Sequence, residues 1–147
     1  MTASKIKEIL AVFQESILEE MSLTELKLNF KIECTFLARL IKSEYKFFYG
    51  VFKGCQDVFF QPWEDEFNII SDIKEIVLLE LELLNVEREA DGYLKIYVNC
   101  KHRFSGGNLL IKCEDLKIFD EDFQEMGLID LTELSEKYWY SSDKAGG

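Results

Sequence analysis

The stretch Leu26-Lys27-Leu28-Asn29-Phe30-Lys31-Ile32-Glu33-Cys34-Thr35-Phe36 alternates without a break. Its apolar members fall on one face and its polar members on the other, the period-two pattern of a strand with one buried and one wet side. Half-buried strands of this kind belong to antiparallel sheets, so this segment sets the expected fold class. Downstream, the aromatic run Tyr45 to Phe52 reads as the next strand, with Gly50 and Gly54 marking a bend or bulge. Asp57 to Gln61 reads as a short third strand, stopped by Pro62. Upstream, Ser4 is placed to cap a helix from Lys5 to about Met21, since Ile6, Ile9, Leu10, Phe13, Ile17 and Leu18 recur at helical spacing.

Residues 72–90 admit two readings. Asp72 and Glu75 suit a helix start, and Leu and Glu favour helix. Yet Leu79, Leu81 and Leu83 alternate with Glu80 and Glu82, so a strand whose phase shifts at a bulge near Leu83-Leu84 accounts for more of the pattern. Asp91-Gly92 then supplies a hairpin turn before Leu94, Ile96 and Val98. Ser105-Gly106-Gly107-Asn108 reads as a turn, and Leu109 to Phe119 as one strand or two short ones. A last helix is expected from Asp130, with Glu133 reaching back and Ile129 packing on Leu134. It should run to about Tyr140, leaving residues 141–147 as a frayed tail. The expected fold is therefore α+β in a single domain, 1–147: an N-terminal helix, a mainly antiparallel sheet of about five or six strands and a C-terminal helix.

A chain of 147 residues with 48% apolar and 14% aromatic content can bury a real core, which excludes a disordered chain. The N-terminus lacks the continuous apolar run of a signal peptide, and no stretch is apolar enough to span a bilayer, so a cytoplasmic location is expected. Charge is unevenly placed. Residues 1–55 carry seven acids and eight bases, residues 56–147 carry 21 acids and nine bases, and the net charge is −11. An acidic surface built from the later part of the chain repels nucleic acid and anionic membrane and attracts basic partners.

Catalytic signatures are missing. Nucleophilic catalysis needs a base beside the nucleophile, and the single histidine, His102, stands between Lys101 and Arg103 as a strand-end surface residue. Cys100, His102 and Cys113 lack the paired spacing of a zinc site. Asp120 and Asp122 lack the glycine and terminal glutamate of a calcium loop. Ser105 to Asn108 is not followed by the Lys-Ser/Thr of a phosphate loop. No cofactor, metal or catalytic residue is expected.

What stands out is aromatic residues beside acids. Phe47 and Phe48 cannot both face one core, so either helices cover the sheet on both sides, the favoured reading, or an aromatic row is exposed. Trp63, Glu64, Asp65 and Glu66, with Asp120, Glu121, Asp122 and Trp139, form the candidate binding surface, because acidic runs in turns are exposed whichever way the strands are ordered. The leading expectation is an acidic protein-binding module of the inhibitor or immunity type that neutralises a basic toxin or nuclease. The alternatives are a small-molecule-binding protein or enzyme with a pocket between helix and sheet, and a structural subunit of a larger assembly.

Cys34, Cys55, Cys100 and Cys113 are expected as reduced thiols, since a core of this size needs no staples. Alkylation of the unfolded, unreduced protein should label all four; fewer labels would reveal a disulfide.

Overall fold

Alternating apolar residues dominate the chain from residue 26 to 119, and the backbone follows them into strands. The computed structural model describes residues 3–89 and 91–146, with side chains over 5–89 and 91–140. The elements are α1 (Ala3–Val12), β1 (Ile17–Thr24), β2 (Lys27–Glu33), α2 (Thr35–Ala38), β3 (Phe47–Lys53), β4 (Asp57–Pro62), α3 (Ile73–Val77), β5 (Leu81–Arg88), β6 (Leu94–Cys100), β7 (Gly106–Lys112), β8 (Asp115–Phe119), β9 (Glu125–Met126) and α4 (Leu128–Gly146). The class is α+β, with an antiparallel sheet and a C-terminal helix. Among the described residues the sheet holds nine strands rather than five or six, in the order β4-β7-β6-β5-β1-β2-β3-β8-β9.

The undercount has a physical source. Ile17 and Leu18 fit a helical stripe and a strand equally well, and pairing decides between them. Glu15 takes a left-handed φ of 71°. Its N–H donates to the Leu83 carbonyl at 2.7 Å, and the Leu83 N–H donates to the Ser16 carbonyl at 2.8 Å. The chain is thereby captured as β1, and the N-terminal helix is short. That helix also starts at Ala3, so Ser4 sits inside it rather than capping it. Residues 72–90 divide between both readings: Asp72 caps α3 by accepting from the Lys74 N–H at 2.9 Å, and β5 follows with the expected register shift between Leu83 and Asn85. At the last helix, Gly127 precedes the first turn and Asp130 reaches back to its N–H at 3.0 Å. Ile129 is exposed, so the expected staple does not form, and α4 continues past Tyr140 to Gly146. Gly147, the end of the expected tail, lies outside the described residues.

Two long runs organise the sheet. β3 and β4 are one bent strand interrupted at residues 54–56, and β7 and β8 are another interrupted at 113–114. Tyr49 to Lys53 pair with Phe119 to Asp115, and Asp57 to Pro62 pair with Lys112 to Gly107. At the corner the Glu114 N–H donates to the Lys53 carbonyl at 2.8 Å and the Gln56 N–H to the Lys112 carbonyl at 3.0 Å, so the ladder turns without breaking. β2 joins the first run and β6 the second. β5 and β1 complete the circuit through Ile17–Glu82 and Leu18–Leu81. Counted along the two bent runs, the pairings among the described residues form a circuit, joined between β1 and β5 by two residue pairs, while β4 and β9 end the strand order.

Inside the ring lie Leu28, Phe30, Ile32, Phe48, Phe52, Phe60, Ile96, Val98, Leu109 and Leu116, all buried. α1 adds Ile6, Ile9, Leu10 and Phe13, whose ring meets Phe48 edge-on at 5.1 Å. Phe47 and Tyr49 point the other way and stay half-exposed, so helices do not cover both sides of the sheet. Gly106 and Gly107, expected in a turn, lie within β7. A Cβ on Gly107 would stand 2.5 Å from both the Gln61 carbonyl and the Phe60 ring. Close packing, not turning, requires glycine there.

Gly107→Ala should therefore destabilise the fold by about 1–3 kcal/mol, the usual cost of overpacking a filled interior. Urea unfolding of the pair of proteins measures it, and an unchanged midpoint would refute the packing account.

Candidate functional site

Proximity in space separates the expected site residues into two groups. The run at residues 63–66 leaves the end of β4, where β7 begins. The run at 120–122 leaves the end of β8, where β3 begins. Because the two long strands are antiparallel, these runs lie at opposite ends of the strand pair. Trp139 sits on α4, beside Tyr138, whose ring packs on Phe36 at 4.7 Å. α4 contacts α1, α2 and β9. The eight residues do not form one surface.

The second acidic run is built into the fold. Asp120 is buried, 8% exposed, and its carboxylate accepts from the N–H groups of Asp122 at 2.9 Å and Gln124 at 3.0 Å. Glu121 accepts from the backbone N–H groups of Lys46 and Phe47, which open β3. Asp122 accepts from the Tyr45 hydroxyl and from the Lys42 ammonium at 3.1 Å. The expectation that a turn exposes all three acids is corrected: only Asp122 is exposed, and its carboxylate is engaged. Together they clasp the turn before β9 to the loop entering β3.

The first run is open. Trp63 is 46% exposed, with its indole N–H donating to Asn108 Oδ1 at 2.9 Å and its ring covering Gly106. Glu64 accepts from Ser105, whose hydroxyl and N–H hold the carboxyl below the usual carboxylate range. Asp65 and Glu66 are exposed, and their carboxylates have no hydrogen bond or ion pair among the described residues. Phe67, not singled out from sequence, is 90% exposed, with Ile69 also exposed beyond it. Its signal was present as a lone aromatic following three acids, between the strand-ending Pro62 and the Asp72 cap.

His102 is exposed, with Nε2 at 3.3 Å from Glu80, which also meets Lys101 at 3.8 Å. A cleft of about 620 Å³ opens here between α3 and β1, lined by Leu18, Glu19, Glu20, Val77, Leu78, Glu80 and His102. Burial, then the nearby Glu33 carboxylate, pushes the Glu19 carboxyl upward. The Cys55 and Cys100 thiols are pushed up to about 11 and Cys113 to about 12, in each case first by burial, so none is primed as a nucleophile. Among the described residues, no three His, Cys, Asp or Glu side chains are arranged to hold a metal ion, and no helix is long and apolar enough to cross a membrane.

Comparison with protein-family models, curated proteins and solved structures finds no match.

The clasp has a pH signature. The Tyr45 hydroxyl and then Lys42 hold the Asp122 carboxyl below its ordinary range. A carboxylate whose native pKa is lowered contributes stability that is present above the unfolded pKa and lost as pH falls through the native one. Side-chain carbon NMR should place the Asp122 midpoint below the ordinary aspartate value of about 3.9. Tyr45→Phe should raise that midpoint; a midpoint unmoved by the substitution would contradict the assignment.

Proposed function

We propose that the chain is an acidic protein-binding module that engages a basic partner through the loop at residues 63–69, in the manner of an inhibitor or immunity protein covering a cationic toxin or nuclease. The observation that carries this reading is Phe67, 90% exposed beside the accessible carboxylates of Asp65 and Glu66. A large apolar side chain held in water, rimmed by charge, is the make-up of an interface anchor. The net charge of −11 supplies long-range attraction to a cationic surface and raises the rate of encounter. Asp120, Glu121 and Asp122 are assigned to the fold instead, since their carboxylates are already engaged.

A second reading, a small-molecule site between helix and sheet, is favoured by the cleft between α3 and β1. A metabolite retained in the native mass spectrum and released by a bulky substitution at Val77 would support it.

Capture of stoichiometric partners from the source cell at low salt tests the first reading. The wild-type chain should recover one basic protein, and Phe67→Ala should weaken that complex by about 2–4 kcal/mol, as loss of a central anchor does. Conversion of Glu64, Asp65 and Glu66 to Lys should slow association, and added salt should slow the wild type in the same way. An acidic partner, or binding indifferent to both substitutions, would refute the proposal.

A further inference from the structure

The corner of the bent ladder holds two of the four cysteines. Cys55 lies in the interruption between β3 and β4, and Cys113 in the interruption between β7 and β8. The β3–β8 pairs step from Val51–Lys117 to Lys53–Asp115, and the same step taken once more sets Cys55 opposite Cys113. Beyond the corner the register resumes at Asp57–Lys112, so three residues of one run face two of the other. Two backbone bonds bracket this gap, from the Glu114 N–H to the Lys53 carbonyl at 2.8 Å and from the Gln56 N–H to the Lys112 carbonyl at 3.0 Å. Both cysteines therefore sit in one short, paired stretch of backbone.

Local conformation brings the two segments close. Gly54 takes a left-handed φ of 63°, and a Cβ there would stand 2.7 Å from Glu114 Oε2. Bare backbone at Gly54 thus admits the strand that carries Cys113 and Glu114. The Cys55 N–H donates to the Leu26 carbonyl at 2.8 Å, which fixes its backbone. Cys55 is fully buried in the core, and the half-buried Cys113 packs against that same core. The thiols also feel each other, since the Cys113 thiol is raised first by burial and next by the charge of Cys55. Cys34 has Ser16 and Glu33 beside it, and Cys100 has Glu64, with no second thiol acting on either.

We infer that Cys55 and Cys113 are a redox couple, which a hydroperoxide converts to one disulfide that locks the corner between the runs 47–62 and 106–119. The half-buried Cys113 sulfur takes one peroxide oxygen, giving a sulfenic acid and releasing the alcohol, or water where the oxidant is hydrogen peroxide. The Cys55 sulfur then attacks the Cys113 sulfur. An S–S bond forms, the S–O bond breaks, and the departing hydroxide leaves with the thiol proton as water. Two thiols are oxidised and one O–O bond is reduced. Thiol pKa values of about 11 and about 12 set the pace. Little thiolate makes the couple slow to oxidise, and a poor leaving thiolate makes the disulfide slow to reduce. The couple is a lock rather than a rapid sensor, and it does not depend on what the loop at residues 63–69 binds.

The test treats the native full chain with hydrogen peroxide, quenches it in acid, then unfolds, alkylates and maps it by peptide mass. The reduced protein should take four labels. The oxidised protein should take two, at Cys34 and Cys100, with a mass lower by two hydrogens and a peptide that joins Cys55 to Cys113. Dithiothreitol should restore all four. Urea unfolding should give the linked protein a folding equilibrium constant at least about tenfold higher, because the link also constrains the unfolded chain. Cys113→Ser, at the less buried of the two positions, should abolish both changes, with Cys55→Ala as the second variant if the first disturbs folding. Four labels after oxidation, links to Cys34 or Cys100, a disulfide between two copies, or oxygen addition alone at Cys113 would overturn the inference. A linked protein no more stable than the reduced one would overturn it too.

Discussion

The unbroken ladder between the runs 47–62 and 106–119 is the constraint on which the rest of the structure depends. Each run bends, yet hydrogen bonding continues across the bend through Glu114 to Lys53 and Gln56 to Lys112. Because both strands turn together, the sheet wraps round until β5 and β1 meet, and the aromatic side chains of both halves converge on one interior. Phe30 and Phe52 stack at 5.0 Å there, and Phe30 closes over the bare backbone of Gly50. A corner that broke the ladder would forfeit these backbone hydrogen bonds, each worth about 0.5–1.5 kcal/mol net.

The same strand pair explains why two similar acidic runs have different surroundings. Both follow the end of a strand, but at opposite ends of the ladder they meet different neighbours. Asp120, Glu121 and Asp122 arrive where β3 starts, beside backbone N–H groups, a tyrosine hydroxyl and a lysine, and each carboxylate finds a donor. Glu64 finds Ser105, but Asp65, Glu66 and Phe67 project from a loop that nothing in the described chain covers. Carboxylates satisfied within the fold hold a turn in place. Those left in solvent, beside apolar groups that gain by leaving water, are free to meet another molecule.

Some of this was legible in the residues themselves. The alternation from Leu26 to Phe36, the stop at Pro62, the Asp72 cap and the phase shift near Leu84 are local, because side-chain direction along a strand and hydrogen bonding at a helix start depend on neighbours in sequence. The charge asymmetry and the adjacency of Trp63 to acids were equally visible. Glycines were ambiguous, since Gly106-Gly107 fits a turn or a crowded strand, and only the positions of Trp63, Phe60 and the Gln61 carbonyl choose the second.

By itself the sequence determined the antiparallel α+β class, the location of most strands and an acid-rich later half, since these follow from period, propensity and composition. Tertiary structure alone decided that Ile17 and Leu18 join a strand and that the pairings form a circuit. It also decided that Asp120 is buried while Phe67 is exposed. Those outcomes depend on which distant segments pair, as Glu15 and Ser16 do with Leu83, and pairing over long separations is set by the free energy of the whole interior rather than by any local pattern.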